Sequence, residues 1–378
     1  MELIRNISIL IIKIVLGLII VSSSNACDEV SAQKSDLNRS NEFTASDFEP
    51  AISLKGTELN LQNHMGDISD FHLVENRYLI YSGIFEGYRC HLYDLETGKL
   101  THFGKDGRGP GELLTVFSYD YRAKDRSIWV QDIKRKIWNS YSLDSLISGN
   151  PDKASLEQME LDLYGFQYPI WIDDNKIAAI SNLDNSARFF FLNAENVVKD
   201  KVGTIPVKED ETWVDYVHAQ IYQGMLSASP DRRNLVFAGR YFDEIRILSL
   251  DQNQEFQFYG PGKVDPIWEL LDIEGNQNFA INKHTTEATT QVSASNSSIY
   301  LLFSGRSKAM APKDEKSAGM WKSFSDQVFV LDWSGKPKAK YTLDREVLNV
   351  VISSDEKYLY AIDYNKPDIV KYELSNML

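Results

Sequence analysis

Residues 77–95 (RYLIYSGIFEGYRCHLYDL), 234–250 (NLVFAGRYFDEIRILSL) and 357–374 (KYLYAIDYNKPDIVKYEL) repeat one pattern: an apolar-rich strand, a short polar loop, and a second strand ending on Leu. Strand periodicity and bounding turn residues mark each copy as a hairpin. Such a unit cannot bury both faces alone, so its recurrence requires stacked neighbours of the same kind. The architecture that meets this requirement is an all-β propeller of four-stranded antiparallel blades. Six units over residues 53–378 average about 54 residues, room for the ~40–45 of one blade plus insertions.

The first blade is read from Ile68 to Phe103, the second from Phe117 to Leu161 and the third from Ile170 to Val207. Blade four holds MLSASPDRRNLVFAG, EIRILSL and EFQFYG; blade five holds TTQVSAS, SIYLLFSG, QVFVLDW and KAKYTL. Blade six, VLNVVISSDEKYLYAID with DIVKYEL, is one strand short at the C-terminus. The alternating segment Ile52 to Leu61 (ISLKGTELNL) has no blade of its own. Joining it to blade six makes a six-bladed β-propeller closed by an N-terminal strand, with no edge left unpaired; the competing reading is that it belongs to the tether. Two stretches break the rhythm. Residues 263–283 carry a helix-like spacing at Ile267, Leu270 and Leu271 and read as an excursion between blades. Residues 305–326 form a polar loop inside blade five, longer than the ~12–15 residues beyond which loops are commonly functional.

The N-terminus has a different composition. Arg5 precedes an apolar run from Ile7 to Val21 whose only charge is Lys13, followed by Ser22, Ser23, Ser24, Asn25, Ala26 and Cys27. This is the layout of a secretory signal over residues 1–26; a membrane anchor needs ~20 apolar residues and is the weaker reading. Residues 27–50 are polar and aperiodic, a disordered tether, and residues 51–378 are the propeller domain. With only two cysteines, Cys27 and Cys90, the fold depends on burial rather than cross-links. Residues 1–26 hold two basic and one acidic side chains, so their removal takes the formal charge from −14 to −15. That charge disfavours nucleic acid and anionic lipid as partners.

Cys27 after Ala26 resembles the box of bacterial lipoproteins, in which the thiol is acylated and becomes the new N-terminus. The usual Leu three residues before the cysteine is Ser24 here, so cleavage by ordinary signal peptidase, leaving a free thiol, is the alternative. Lys105 to Leu113 (KDGRGPGEL), with Ala228-Ser229-Pro230-Asp231 and Ser353-Ser354-Asp355-Glu356, is similar to the linker and turn forms of the TolB-like six-bladed propeller lipoproteins of Bacteroidetes, related to NHL-repeat propellers. The resemblance covers residues 53–378 and implies the fold, but no particular activity. Read physically, the glycines of this stretch with Pro110 suit a chain crossing between blades, with Arg108 and Glu112 to hold it. It lacks the Gly-Lys-Ser/Thr of a phosphate-binding loop and precedes a strand instead of a helix.

Catalytic signatures are missing. The six histidines (His64, His72, His91, His102, His218, His284) are scattered without zinc spacing, and no Gly-x-Ser-x-Gly elbow occurs. Asp272 to Asn276 reads as a turn and not a calcium loop. Asp120 and Asp215 lie near inner strands but read as turn or surface residues. No catalytic, metal or cofactor residue is therefore assigned, and no cofactor is expected. Binding residues are expected on the face shared by the loops between blades and between second and third strands: Tyr88, Arg89, Arg108, Arg240, Tyr241, Arg306 and Trp321. The expectation is a monomeric envelope protein, held at the outer membrane by lipid on Cys27 or else soluble in the periplasm or secreted. It binds an unidentified protein or glycan; the alternative is an extracytoplasmic hydrolase or lyase working at the channel mouth.

Overall fold

The computed structural model describes residues 33–34, 41–48, 50–61, 70–161, 165–206, 214–273, 275–311, 323–366 and 368–374. Four sheets have four antiparallel strands each, in spatial order from the inside outward. Blade one comprises Phe71–Val74, Tyr78–Phe85, Tyr88–Asp94 and Leu100–Lys105. Blade two comprises Val116–Arg122, Ser127–Asp132, Ile137–Ser142 and the outer Ser155–Glu160. Blade three runs from Phe166–Trp171 to Val198–Val202 and blade four from Gly224–Ala228 to Gln254–Tyr259.

Eight further strands form one sheet that contains two blades. The long strand Pro337–Ile352 is shared: residues 337–342 pair with Ser325–Asp332 as the outer strand of blade five, and residues 347–352 pair with Tyr358–Asp363 as the inner strand of blade six. Thr57–Glu58 pairs with Ile369–Glu373 and supplies the missing outer strand of blade six. Ile52–Leu54 runs parallel to Tyr341, Thr342 and Leu343, stitching the same segment onto blade five. Asp368, fully buried, accepts from the backbone N–H groups of Asn60 (3.1 Å) and Leu61 (2.9 Å) and fixes this closure.

The hydrophobic core is divided into six parts, each between two successive blades. Alternate residues of one strand feed the two flanking cores: Leu79 and Tyr81 pack toward blade six, while Ile80 packs toward blade two. Both faces of a blade are thus buried, which explains unbroken apolar runs such as Ile177-Ala178-Ala179-Ile180 where a half-exposed strand would alternate. An aromatic cluster joins blades two and three, where Trp138 stacks on Trp171 (5.6 Å, 15°), Trp129 meets both rings, and the Arg122 guanidinium covers Trp171 at 4.6 Å.

Two expectations need correction. The stretch with helix-like spacing is a β-hairpin, Ile267–Ile273 with Asn276–Ile281, inserted between blades four and five. Gly275, at φ 82°, turns the chain between two runs each too short for a stable helix. Trp268 is buried and Leu271 and Ile273 are exposed, the two-sided pattern of a strand. Part of the stretch assigned to a solvated tether is docked: Gln33–Lys34 pairs with the hairpin, and Phe43 and Phe48 insert into the core between blades four and five. Their rings are apolar anchors in an otherwise polar segment, and Phe48 meets Phe329 edge-on at 5.0 Å.

The crossing at residues 105–113 is built as its glycines require. A Cβ on Gly107 would lie 2.1 Å from the Glu112 carboxylate, whose Oε2 accepts from Gly109 N–H at 2.6 Å. Arg135, rather than Arg108, clamps the loop by donating to the Gly109 carbonyl (3.3 Å) and the Glu112 carbonyl (2.5 Å). The Ser-x-Asp turns are copies of one another. Ser229 Oγ donates to Asp231 (2.6 Å) and accepts from Asn234 N–H (3.0 Å); Ser353 Oγ donates to Asp355 (2.7 Å) and accepts from Tyr358 N–H (2.9 Å). The residue that follows the Asp is left-handed in each, Arg232 at φ 60° and Glu356 at φ 57°.

Candidate functional site

The six inner strands enclose a central cavity of about 480 Å³. The turns that follow them, carrying Glu75, Asn76, Lys124, Asp173, Pro230 and Ser354, gather round one end. The inner edge of each blade has no strand partner, so its backbone groups need other bonds. Side chains from the preceding blade supply them: Asp120 Oδ2 accepts from Trp171 N–H (2.8 Å), Ser293 Oγ accepts from Ile352 N–H (3.1 Å), and Gln131 Nε2 donates to the Phe166 carbonyl (2.7 Å). A relay of amides continues round the ring, Gln291 Nε2 donating to Asn349 Oδ1 (2.8 Å) and Asn349 Nδ2 to Asp70 Oδ1 (2.7 Å).

One interaction spans the channel. Arg232, on the turn of blade four, donates through Nη2 to Asp120 Oδ1 of blade two (2.6 Å) and to the Tyr121 carbonyl (2.8 Å). Asp120 is 2% exposed, so the guanidinium neutralises a buried charge. The left-handed position in the Ser-x-Asp turn is what aims this arginine across the channel, a role that no local motif announces.

Two groups lining the cavity, Asp70 and His72, are strongly shifted. Burial pushes the Asp70 carboxyl up to about 7, against the lowering effect of its hydrogen bonds from Asn349 and the Phe71 amide. Burial brings the His72 imidazole down to about 4, with the Asp120 charge opposing and the Arg232 charge reinforcing that change. At neutral pH the ring is uncharged while the carboxyl is near its midpoint. Tyr168, on the inner strand of blade three, is at φ 51° where the register slips between Gln167 and Ile170. A bulge of this kind re-aims a side chain, and here the ring lies 5.0 Å from Phe117 and lines the cavity. Asp120, noticed in the sequence and set aside, is therefore a channel residue, and His72, Tyr168 and Arg232 join it. Among the described residues, no group of three or more His, Cys, Asp or Glu is placed to hold a metal ion.

Of the residues expected to form a binding face, the described ones do not line this cavity and sit on loops at the end opposite the turns just described. Arg108 is exposed. Arg89 pairs with Asp106 (2.7 Å) and Tyr88 stacks on His102 (5.9 Å). Arg240 pairs with buried Glu287 (3.2 Å) and lies over the ring of Tyr241, itself only 6% exposed. Arg306 pairs with Glu346 (2.8 Å) and covers Phe324. Trp321 and Cys27 lie outside the described residues, as does most of the loop in blade five. His91 and His102 are bonded to each other, Nδ1 to Nδ1 at 2.7 Å; His91 Nε2 donates to the Gly83 carbonyl (3.0 Å), so its Nδ1 is the acceptor. Cys90 is buried between blades one and two, and burial pushes its thiol up to about 12.

A family model described as TolB-like 6-blade propeller-like matches residues 80–355. The chain belongs to this family. No curated protein matches it. Among solved structures, this TolB-like propeller is similar to a candidate exported protein of Bacteroides fragilis, with a TM-score of 0.52, 11% identity, and coverage of 88% of this chain and 98% of that one. A streptogramin B lyase structure gives 0.45 at 13% identity, covering 85% and 97%. The WD40 repeats of RRP9 give 0.47 at 9%, covering 85% and 99%. At these identities the likeness is one of fold alone.

Proposed function

We propose that this TolB-like propeller is an extracytoplasmic binding module, held at the outer membrane by acylation of Cys27, which takes the end of a glycan or polypeptide into its central channel. The observation that carries the binding reading is the cavity of about 480 Å³, within the ~300–1,000 Å³ common for ligand sites, ringed by all six inner strands and open among their turns. Export is supported by the basic and apolar pattern of residues 1–26 and by the description of the Bacteroides fragilis neighbour as a candidate exported protein. Acylation is supported by the Ala26-Cys27 junction. Stable anchoring needs more than one acyl chain, which a lipoprotein cysteine provides and an acidic surface does not.

Two experiments test the two parts. Cys27→Ser should move the protein from the membrane fraction to the soluble fraction, and undiminished membrane retention would overturn the anchor. For the channel, Ala228→Trp places a large ring on the cavity wall and should abolish capture of envelope glycans or peptides by the immobilised protein; capture at wild-type level would move the site elsewhere. A second reading, a hydrolase or lyase at the channel mouth, is favoured by the Asp70 carboxyl near 7 in the same cavity as a neutral imidazole, since general acid–base groups work best when poised near the operating pH. Chemical change in a captured ligand, lost in Asp70→Asn, would decide for it.

A further inference from the structure

The polar groups of the channel divide into those that hold the blades together and those that do not. Asp120, Ser293, Gln291 and Asn349 are engaged with neighbouring blades. Among the described residues, the His72 ring has no hydrogen-bond partner, nor has the Tyr168 hydroxyl, nor have Nε and Nη1 of Arg232. These three come from blades one, three and four and line one cavity. Tyr168 is held in left-handed backbone, which strains a non-glycine residue and persists where the surrounding fold imposes it.

Their chemistry narrows the ligand. A neutral imidazole and a phenol each donate and accept, and the arginine adds donors. The Arg232 charge is already balanced by Asp120, Arg122 pairs with Asp125 and Lys124 with Asp174, the lining also carries the carboxyls of Asp70, Glu75 and Asp173, and the whole chain carries −14, so an anion finds no uncompensated positive charge. Ile170, Ile172, Leu226, Ala228 and Ala294 give the same cavity an apolar side. Mixed donors and acceptors beside an aliphatic surface match a pyranose ring, whose hydroxyls do both and whose C–H face is apolar.

The geometry points to a neutral sugar, a mono- or disaccharide end of a glycan, as the channel's ligand, with its hydroxyls meeting His72, Tyr168 and Arg232. This rests on the reading that the channel is the ligand seat. The test titrates the full chain by calorimetry with glucose, galactose, mannose, N-acetylglucosamine, lactose and cellobiose, and in parallel with glucuronate, succinate and trialanine. The expected result is binding of at least one neutral sugar, weakened about three- to tenfold by Tyr168→Phe and by His72→Ala, the loss of one hydrogen bond in each case. Ala228→Trp should abolish it. Neither polar variant removes a hydrogen bond within the protein, so both keep the test decisive if the tryptophan variant does not fold. Binding of glucuronate, succinate or trialanine without any neutral sugar, still blocked by Ala228→Trp, would overturn the sugar and leave the seat standing. Binding of no probe, or binding indifferent to all three substitutions, would overturn both.

Discussion

Asp70→Asn should stabilise the protein at alkaline pH, and the size of the gain follows from the channel. The Asp70 carboxyl titrates near 3.8 when unconstrained and near 7 in the fold, because burial outweighs its bonds from Asn349 and Phe71. A folded value above the unfolded one means that the fold holds a proton which the open chain has released. The associated stability is complete below pH ~4 and is lost as pH rises through ~7. About three units at ~1.36 kcal/mol each bound the loss at ~4 kcal/mol. The channel admits water around a half-buried side chain, and screening there reduces this to ~2 kcal/mol. Asparagine removes the charge and still offers an oxygen to Asn349 Nδ2. The variant should therefore exceed the wild type by ~2 kcal/mol at pH 8 and by nothing at pH 4. His72 and His91 act in the opposite sense, since burial holds both near 4, below their usual 6.5, so their contribution is lost as pH falls from ~6.5 towards ~4. Only the difference between variant and wild type isolates Asp70. Urea unfolding followed by tryptophan fluorescence at pH 4, 6 and 8 measures it. A difference independent of pH, or a variant less stable at pH 8, would refute the assignment.

Removal of the cross-channel cation by Arg232→Ala leaves buried Asp120 uncompensated and should cost ~2–4 kcal/mol in the same unfolding assay; a cost below ~1 kcal/mol would mean that the pair is not formed. Asp368→Ala deprives the Asn60, Leu61 and Ile369 amides of their acceptor. It should cost ~2–3 kcal/mol and expose residues 52–61 to protease first, whereas an unchanged cleavage pattern would contradict the closure. Trp138→Ala opens the tryptophan cluster between blades two and three and should cost ~3–5 kcal/mol by thermal unfolding, a loss under ~1 kcal/mol being incompatible with its full burial.

The blades were legible in the sequence because their cause is local. A strand buried on both faces must be apolar at nearly every position, as Leu235-Val236-Phe237-Ala238 is, and a tight turn needs its Ser, Asp or Gly wherever it sits. Local patterns also misled where two periods overlap. Ile267, Leu270 and Leu271 fit a helix by spacing, and only the hairpin turn at Gly275 and the burial of Trp268 show a strand. In the polar stretch before Pro50, composition concealed two anchors, because Phe43 and Phe48 gain their meaning from a groove made by blades four and five.

The candidate site was decided by tertiary structure alone. His72, Tyr168 and Arg232 belong to three blades far apart in the chain, and their side chains meet one cavity because the ring brings the inner edges together. Nothing adjacent to His72 distinguishes it from any strand residue, and Arg232 is one of two arginines in a turn until its backbone angle aims it at Asp120. Alternation and turn chemistry act over a few residues and so determine blades; convergence depends on how blades are disposed about an axis, which is a property of the closed ring.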